Sequence, residues 1–154
     1  MFKSLFKKTK VEHDPFIIMP LEGELLPIEN VPDPVFSQKI MGDGFAIQPV
    51  NNTIISPVDG EIISVFPTKH AVTLKDQVGH EILIHVGLET VNLKGEGFIS
   101  FVKDGQKVKK GQKLLEADFA SIKNKVPSIV TPVVFTNLKE NEKILINEQG
   151  IKIV

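Results

Sequence analysis

The chain of 154 residues has no cysteine, no tryptophan and no tyrosine. Without cysteine there is no disulfide framework, no thiolate nucleophile and no thiolate-bound metal. That fits a reducing compartment. Every aromatic residue is a phenylalanine, and none beyond the N-terminus sits in a basic ribbon. The stacking platforms of single-strand nucleic-acid binders are therefore missing. An excess of charge is missing too: 18 basic residues face 19 acidic ones, a net charge of −1. Such a chain has no general attraction for nucleic acid. No apolar run approaches the ~20 residues that span a bilayer. The longest weakly polar stretch, Val126 to Phe135, is interrupted by Pro127 and Pro132. The basic start, Met1 to Lys10, lacks the long apolar segment of a signal peptide. A soluble cytoplasmic protein is expected, at most peripheral at the inner face of a membrane.

Residues 1–14 differ from the rest. Phe2, Leu5 and Phe6 fall at i, i+3 and i+4 among Lys3, Lys7 and Lys8, which reads as a flexible or weakly amphipathic segment. Residues 15–154 read as one domain. Short Ile- and Val-rich runs alternate there with Gly, Pro and Asp turns, the punctuation of β structure. Strands are expected near Phe16–Met19, Glu24–Ile28, Phe45–Pro49, Thr53–Ser56, Glu61–Val65, His70–Leu74, His80–Val86, Phe98–Phe101, Lys113–Glu116 and Ile144–Ile146. Helical turns are expected at Glu89–Asn92 and at Phe119–Lys123, the latter capped by Asp118. The fold class is all-β: an antiparallel, barrel-like β-sandwich with short helical turns.

The segment from His70 to Val86, HAVTLKDQVGHEILIHV, carries the chemistry. A hairpin with a four-residue loop at Asp76–Gly79 puts Lys75 opposite His80 and His70 opposite His85. Opposed side chains have Cβ atoms ~4.5–5.5 Å apart. Two imidazoles on one face add nothing a fold needs, because each buried ring needs a partner and two imidazoliums repel. A bridging phosphate or metal ion gives the pair a purpose. For phosphate, a neutral ring attacks phosphorus while its other nitrogen keeps a proton. The second histidine then donates to phosphoryl oxygens. Gly87 lets a backbone carbonyl approach the first ring. For a metal, His70 and His85 supply two ligands where a zinc hydrolase uses three plus water. His13, His80, Asp43 and Glu89 are candidate additions, and no HExxH occurs.

Ile82-Leu-Ile-His-Val-Gly-Leu-Glu-Thr-Val-Asn-Leu-Lys-Gly-Glu-Gly-Phe98 closely resembles the signature around the phosphorylated histidine of the glucose-type enzyme IIA family of bacterial sugar phosphotransferase systems. Lys39–Pro49, Ile55–Gly60, Thr68–Ala71, Leu114–Asp118 and Thr131–Val134 resemble the family in the same order. The resemblance runs from about Pro20 to the C-terminus. It implies a sandwich with a shallow active-site depression and a phosphotransferase component without an obligatory cofactor. His85 would accept a phosphoryl group on Nε2. His70 would steady that group, and Thr68 would orient His70. The Gly87 carbonyl would fix the His85 tautomer. The donor would be the histidine phosphocarrier protein and the acceptor a cysteine on the IIB domain of a glucose-type permease. The chain itself would be a monomer, with regulatory contacts to other uptake proteins. Zinc between His70 and His85, with two ligands from this chain, would be weak or completed by a partner protein.

The docking rim maps by resemblance to Val35, Phe36, Ile40, Met41, Phe66, Leu83 and Val91, with ordinary packing the simpler role for Leu83. Asp33 and Glu89 would add negative charge at its edge. Glu89 stands where family members often have Asp, and the N-terminal leader is shorter than in some members. Two other readings differ in class. Val102–Ala117 looks much like a biotinyl or lipoyl carrier, but its continuation, Asp118-Phe-Ala-Ser-Ile122, has no lysine to modify. A zinc peptidase on a related β fold needs a third ligand beside His70 and His85.

Overall fold

In a computed structural model the chain is described from Asp14 to Val154. The first strand is β1, Phe16–Ile17; the expected N-terminal amphipathic segment, and His13 as a metal ligand, lie outside the described residues. β2 (Gly23–Pro27) leads through a 3₁₀ turn at Ile28–Asn30 to α1, Pro34–Ser37. Then follow β3 (Asp43–Pro49), β4 (Thr53–Ile55), β5 (Gly60–Val65), β6 (Ala71–Asp76) and β7 (Glu81–His85). A 3₁₀ turn at Thr90–Leu93 precedes β8 (Phe98–Ser100), β9 (Lys107–Val108) and β10 (Lys113–Ala117). After α2 (Phe119–Ile122) come β11 (Thr131–Phe135), β12 (Ile144–Asn147) and β13 (Gly150–Ile153). No helix among the described residues is long and apolar enough to cross a membrane.

The strands form a seven-stranded sheet in the order β2-β3-β11-β7-β6-β5-β9 and two three-stranded sheets, β4-β10-β8 and β1-β13-β12. Alternation along the central strands sorts their side chains. Phe45, Ile47, Val72, Leu74, Ile82, Ile84, Val133 and Phe135 enter the main core, where they meet Ile54, Leu115 and Ile151 from the smaller sheets. Ala46, Ala71, Leu83 and Val134 face the other way and pack under Ile28, Val31 and Phe36. That second cluster explains why ILIHV is nearly continuous in apolar residues: β7 is covered on both faces.

The covering segment is held by local chemistry. Asp33 caps α1 by accepting a hydrogen bond from the Val35 N–H at 3.0 Å, and Pro34 begins the helix. Pro fits there because that N–H would have no partner within the helix. The cap presses Phe36 onto the outer face of the sheet, where it is buried.

Three strands escaped the sequence pattern. β9 is two residues of a lysine-rich turn region, and β13 is a short GIKI. β11 contains Pro132, a residue that argues against a central strand. Its ladder with β7 begins one residue later, at Val133 opposite Ile84, so Pro132 lies outside that pairing. The expected helical turns at Glu89–Asn92 and Phe119–Lys123 are present with ends shifted by a residue, and Asp118 does cap α2.

The expected register of the β6–β7 hairpin is corrected by one residue. Lys75 pairs with Glu81, and Ala71, not His70, pairs with His85. The cause lies in the turn. The Asp76 carboxylate accepts from the Val78 N–H at 3.0 Å and the His80 N–H at 2.8 Å. The Asp76 N–H in turn donates to the His80 carbonyl at 3.0 Å. His80 is thereby drawn into the loop, which has five residues between the last paired positions.

Candidate functional site

His85 ends β7 on the outer face of the large sheet, next to Phe36, whose ring centre lies 5.2 Å away. His85 Nδ1 is 2.7 Å from the carbonyl oxygen of Gly87. A carbonyl only accepts, so Nδ1 carries the proton and Nε2 bears a lone pair. Gly87 brings its carbonyl round at φ 76°, a left-handed conformation that glycine adopts without steric cost. Behind it, the buried Thr90 hydroxyl donates to the Val86 carbonyl at 2.7 Å.

His70 lies just before β6 and is 3% exposed. Its ring centre is 5.0 Å from that of His85, with the planes at 79°. Despite the corrected register the two imidazoles are therefore neighbours. His70 Nδ1 is 2.6 Å from the Thr68 hydroxyl, and Phe66 meets the ring edge-on at 5.4 Å. With both Nδ1 atoms engaged, neither Nε2 has a hydrogen-bond partner among the described residues.

Burial, reinforced by the neighbouring His85, pushes the His70 pKa down to about 4. Burial lowers that of His85 as well, against the opposing pull of the Gly87 carbonyl and the Asp33 carboxylate. Both rings are accordingly neutral at pH 7. One supplies a lone pair with a fixed tautomer, and the other is a hydrogen-bonding partner a few ångströms off. That arrangement suits the capture of a compact electrophile whose oxygens need donors.

The residues mapped by resemblance to the docking rim differ in burial. Val35, Ile40, Met41 and Val91 are exposed apolar side chains, with Ile40 66% exposed. Phe66 is half-buried, whereas Phe36 and Leu83 are buried and form the floor and wall rather than an open rim. Glu89 is exposed and left-handed at φ 59°. His80, a candidate metal ligand by sequence, is tied elsewhere: its ring nitrogens lie 3.2 Å from Asp76 and 2.9 Å from Glu142. No group of three or more His, Asp or Glu among the described residues is placed to hold a metal ion. Two features of the site gave no signal in the sequence, the Thr90 hydroxyl bond and the left-handed backbone of Lys69 at φ 60°.

Residues 16–141 match the model of the family described as the phosphoenolpyruvate-dependent sugar phosphotransferase system, EIIA 1. The chain belongs to this family. It is 54% identical over 147 residues to the PTS system glucose-specific EIIA component of Halalkalibacterium halodurans, covering 91% of this chain and 85% of that one. It is also 49% identical over 136 residues to the PTS system glucosamine-specific EIICBA component of Bacillus subtilis. There the match covers 88% of this chain but 22% of the longer protein. The glucose permease IIA from Mycoplasma capricolum has the same fold, with a TM-score of 0.82 at 40% identity over 90% of this chain and 88% of that one. This EIIA chain is thus a component of a sugar phosphotransferase system on an antiparallel β-sandwich.

Proposed function

We propose that the chain is a phosphocarrier that takes a phosphoryl group on His85 Nε2 from the histidine phosphocarrier protein. It passes that group to a cysteine on the IIB domain of a glucose-type permease. The observation that carries this reading is the 2.7 Å bond from His85 Nδ1–H to the Gly87 carbonyl, which leaves Nε2 as a nucleophile beside His70.

In the first step the Nε2 lone pair forms a bond to phosphorus. The donor's own P–N bond breaks, and its electron pair returns to the donor imidazole. In the second step a cysteine thiolate attacks phosphorus and the His85 P–N bond breaks, restoring the Nε2 lone pair. No proton leaves His85 in either direction, because Nδ1–H stays on the Gly87 carbonyl. Throughout, His70 holds the phosphoryl oxygens: with the Thr68 hydroxyl donating to Nδ1, Nε2–H is the donor aimed at them. The dry surroundings strengthen that bond. The exposed Val35, Ile40, Met41 and Val91 and half-buried Phe66 form the docking surface. Asp33 and Glu89 attract basic partner side chains at its edge. The glucose-specific names of the relatives support the glucose class, and the EIICBA relative supports a IIB partner.

Incubation with phosphoenolpyruvate, enzyme I and the carrier protein should label His85 with an acid-labile phosphoryl group. His85→Ala should take none. His70→Gln should accept the group but donate it poorly, because the second imidazole acts while charge moves. Label on another residue, or unimpaired donation by His70→Gln, refutes the assignment. In the other His70 tautomer, with Nδ1–H donating to the Thr68 hydroxyl, both Nε2 lone pairs would suit zinc, but a zinc site needs at least three protein ligands. Zinc would bind here in stoichiometric amount only with a partner protein supplying the rest.

A further inference from the structure

The corrected register raises a question about His70. The β6–β7 ladder runs through Ala71 opposite His85 and continues one step, the Val86 N–H donating to the His70 carbonyl at 2.7 Å. Alternation then assigns His70 to the face of Val72, Leu74 and Val86, which is the main core. Its ring is instead beside His85 and Phe66, on the outer face. Something takes this one residue out of the pleat.

The preceding turn does so. Phe66 closes it with two bonds: its carbonyl accepts from the Lys69 N–H at 2.7 Å, and its N–H donates to the Ala71 carbonyl at 3.0 Å. Between those anchors Lys69 is left-handed at φ 60°. A left-handed residue at a hairpin turn kinks the strand and re-aims the next side chain. His70 is consequently a loop residue toward β5 and a strand residue toward β7. The Lys69 side chain is exposed and has no ion-pair partner among the described residues, so its backbone is what the site uses.

We infer that Lys69 is a positioning residue whose left-handed backbone delivers the His70 ring onto the His85 face. This rests on the carrier reading only for its consequence in transfer, since the placement itself is geometric. The left-handed region is open to glycine and tolerated by asparagine, but strained for alanine and more so for a β-branched residue.

The test is a series at this position: Lys69→Gly, Lys69→Asn, Lys69→Ala and Lys69→Val. Two readouts are taken on each folded variant. One is the nuclear Overhauser contact between the His70 and His85 ring protons, and the other is the rate of phosphoryl donation to the IIB domain. Gly and Asn should keep the contact and the wild-type rate. Ala should lose part of each. Val should lose the contact, with donation down on the order of 10²-fold, the cost of misplacing a positioned group by about an ångström. Equal loss in all four variants would mean that the ammonium matters and would overturn the inference. So would an unchanged contact in Val. Should Val fail to fold, the order Gly and Asn above Ala still decides. Should the wild type carry no phosphohistidine, the carrier reading falls while the ring contact still tests the placement.

Discussion

Gly87→Ala probes the tautomer lock on His85. An added Cβ would lie 2.7 Å from Thr90 Cγ2 and 3.4 Å from the Ser128 carbonyl oxygen. Two costs follow. Alanine at φ 76° loses about 1–2 kcal/mol against the left-handed backbone. Forcing a methyl against Thr90 adds about 1–3 kcal/mol of overpacking. The sum is a large share of the ~5–15 kcal/mol that holds a domain of this kind together. The two costs can be separated. Thr90→Ser removes Cγ2 but keeps the hydroxyl that bonds the Val86 carbonyl; alone it should lose about 1 kcal/mol for the missing buried methyl. Combined with Gly87→Ala it should recover most of the steric cost and leave the backbone cost. Urea unfolding of the four proteins gives the cycle directly. Additivity within about 0.5 kcal/mol would refute the clash, and a fully restored double variant would refute the backbone cost. In the same proteins the rate of phosphoryl acceptance should follow the position of the Gly87 carbonyl, falling in Gly87→Ala and recovering only in part with Thr90→Ser.

Two pH experiments follow from the histidines. His70 is held neutral down to about pH 4 in the folded chain while an unfolded chain takes up the proton near 6.5. The unfolded state therefore binds more protons in that window, and stability should fall by about 1–3 kcal/mol as pH drops from 6.5 to 4. Denaturation of His70→Gln should show a shallower acid limb, and an unchanged limb would refute this. His80 has the opposite sign. Burial opposes its charge, but its hydrogen bonds to Glu142 and Asp76 prevail and raise its pKa. Its contribution should be full below pH 6.5 and lost as pH rises through the folded value, so His80→Gln should flatten that decline. Asp33→Asn keeps an oxygen to cap α1 and removes the charge that raises the His85 pKa. The His85 titration midpoint, followed by NMR, should fall further with α1 intact.

Some of the fold was plain in the sequence because it is locally encoded. Ten strand segments and two of the four helical turns among the described residues followed from local residue pattern, the Ile- and Val-rich runs between Gly, Pro and Asp turns above all. β11 did not, because Pro127 and Pro132 make a central strand look like a loop until its neighbours are known. β9 and β13 did not: β9 is a two-residue edge strand and β13 a four-residue strand between β1 and β12, and strands so short are defined by the partners they meet rather than by their own composition.

The candidate site divides in the same way. That His70 and His85 belong together, with Gly87 letting a carbonyl approach, could be read from residue type and spacing, and resemblance added Thr68. The register could not be read, since it turned on one carboxylate, Asp76, folding back onto the His80 N–H. Nor could the face of His70, which alternation alone places wrongly.

Sequence by itself determined the chemistry available: two imidazoles, a hydroxyl, a flexible glycine, no thiol and no excess charge. Only the tertiary structure decided that the rings meet, which nitrogen stays basic, and that Phe36 walls the site while Ile40 stands in solvent. The reason is physical. Side-chain type and turn preference are local, whereas register, burial and tautomer depend on atoms that come close only once distant segments have packed.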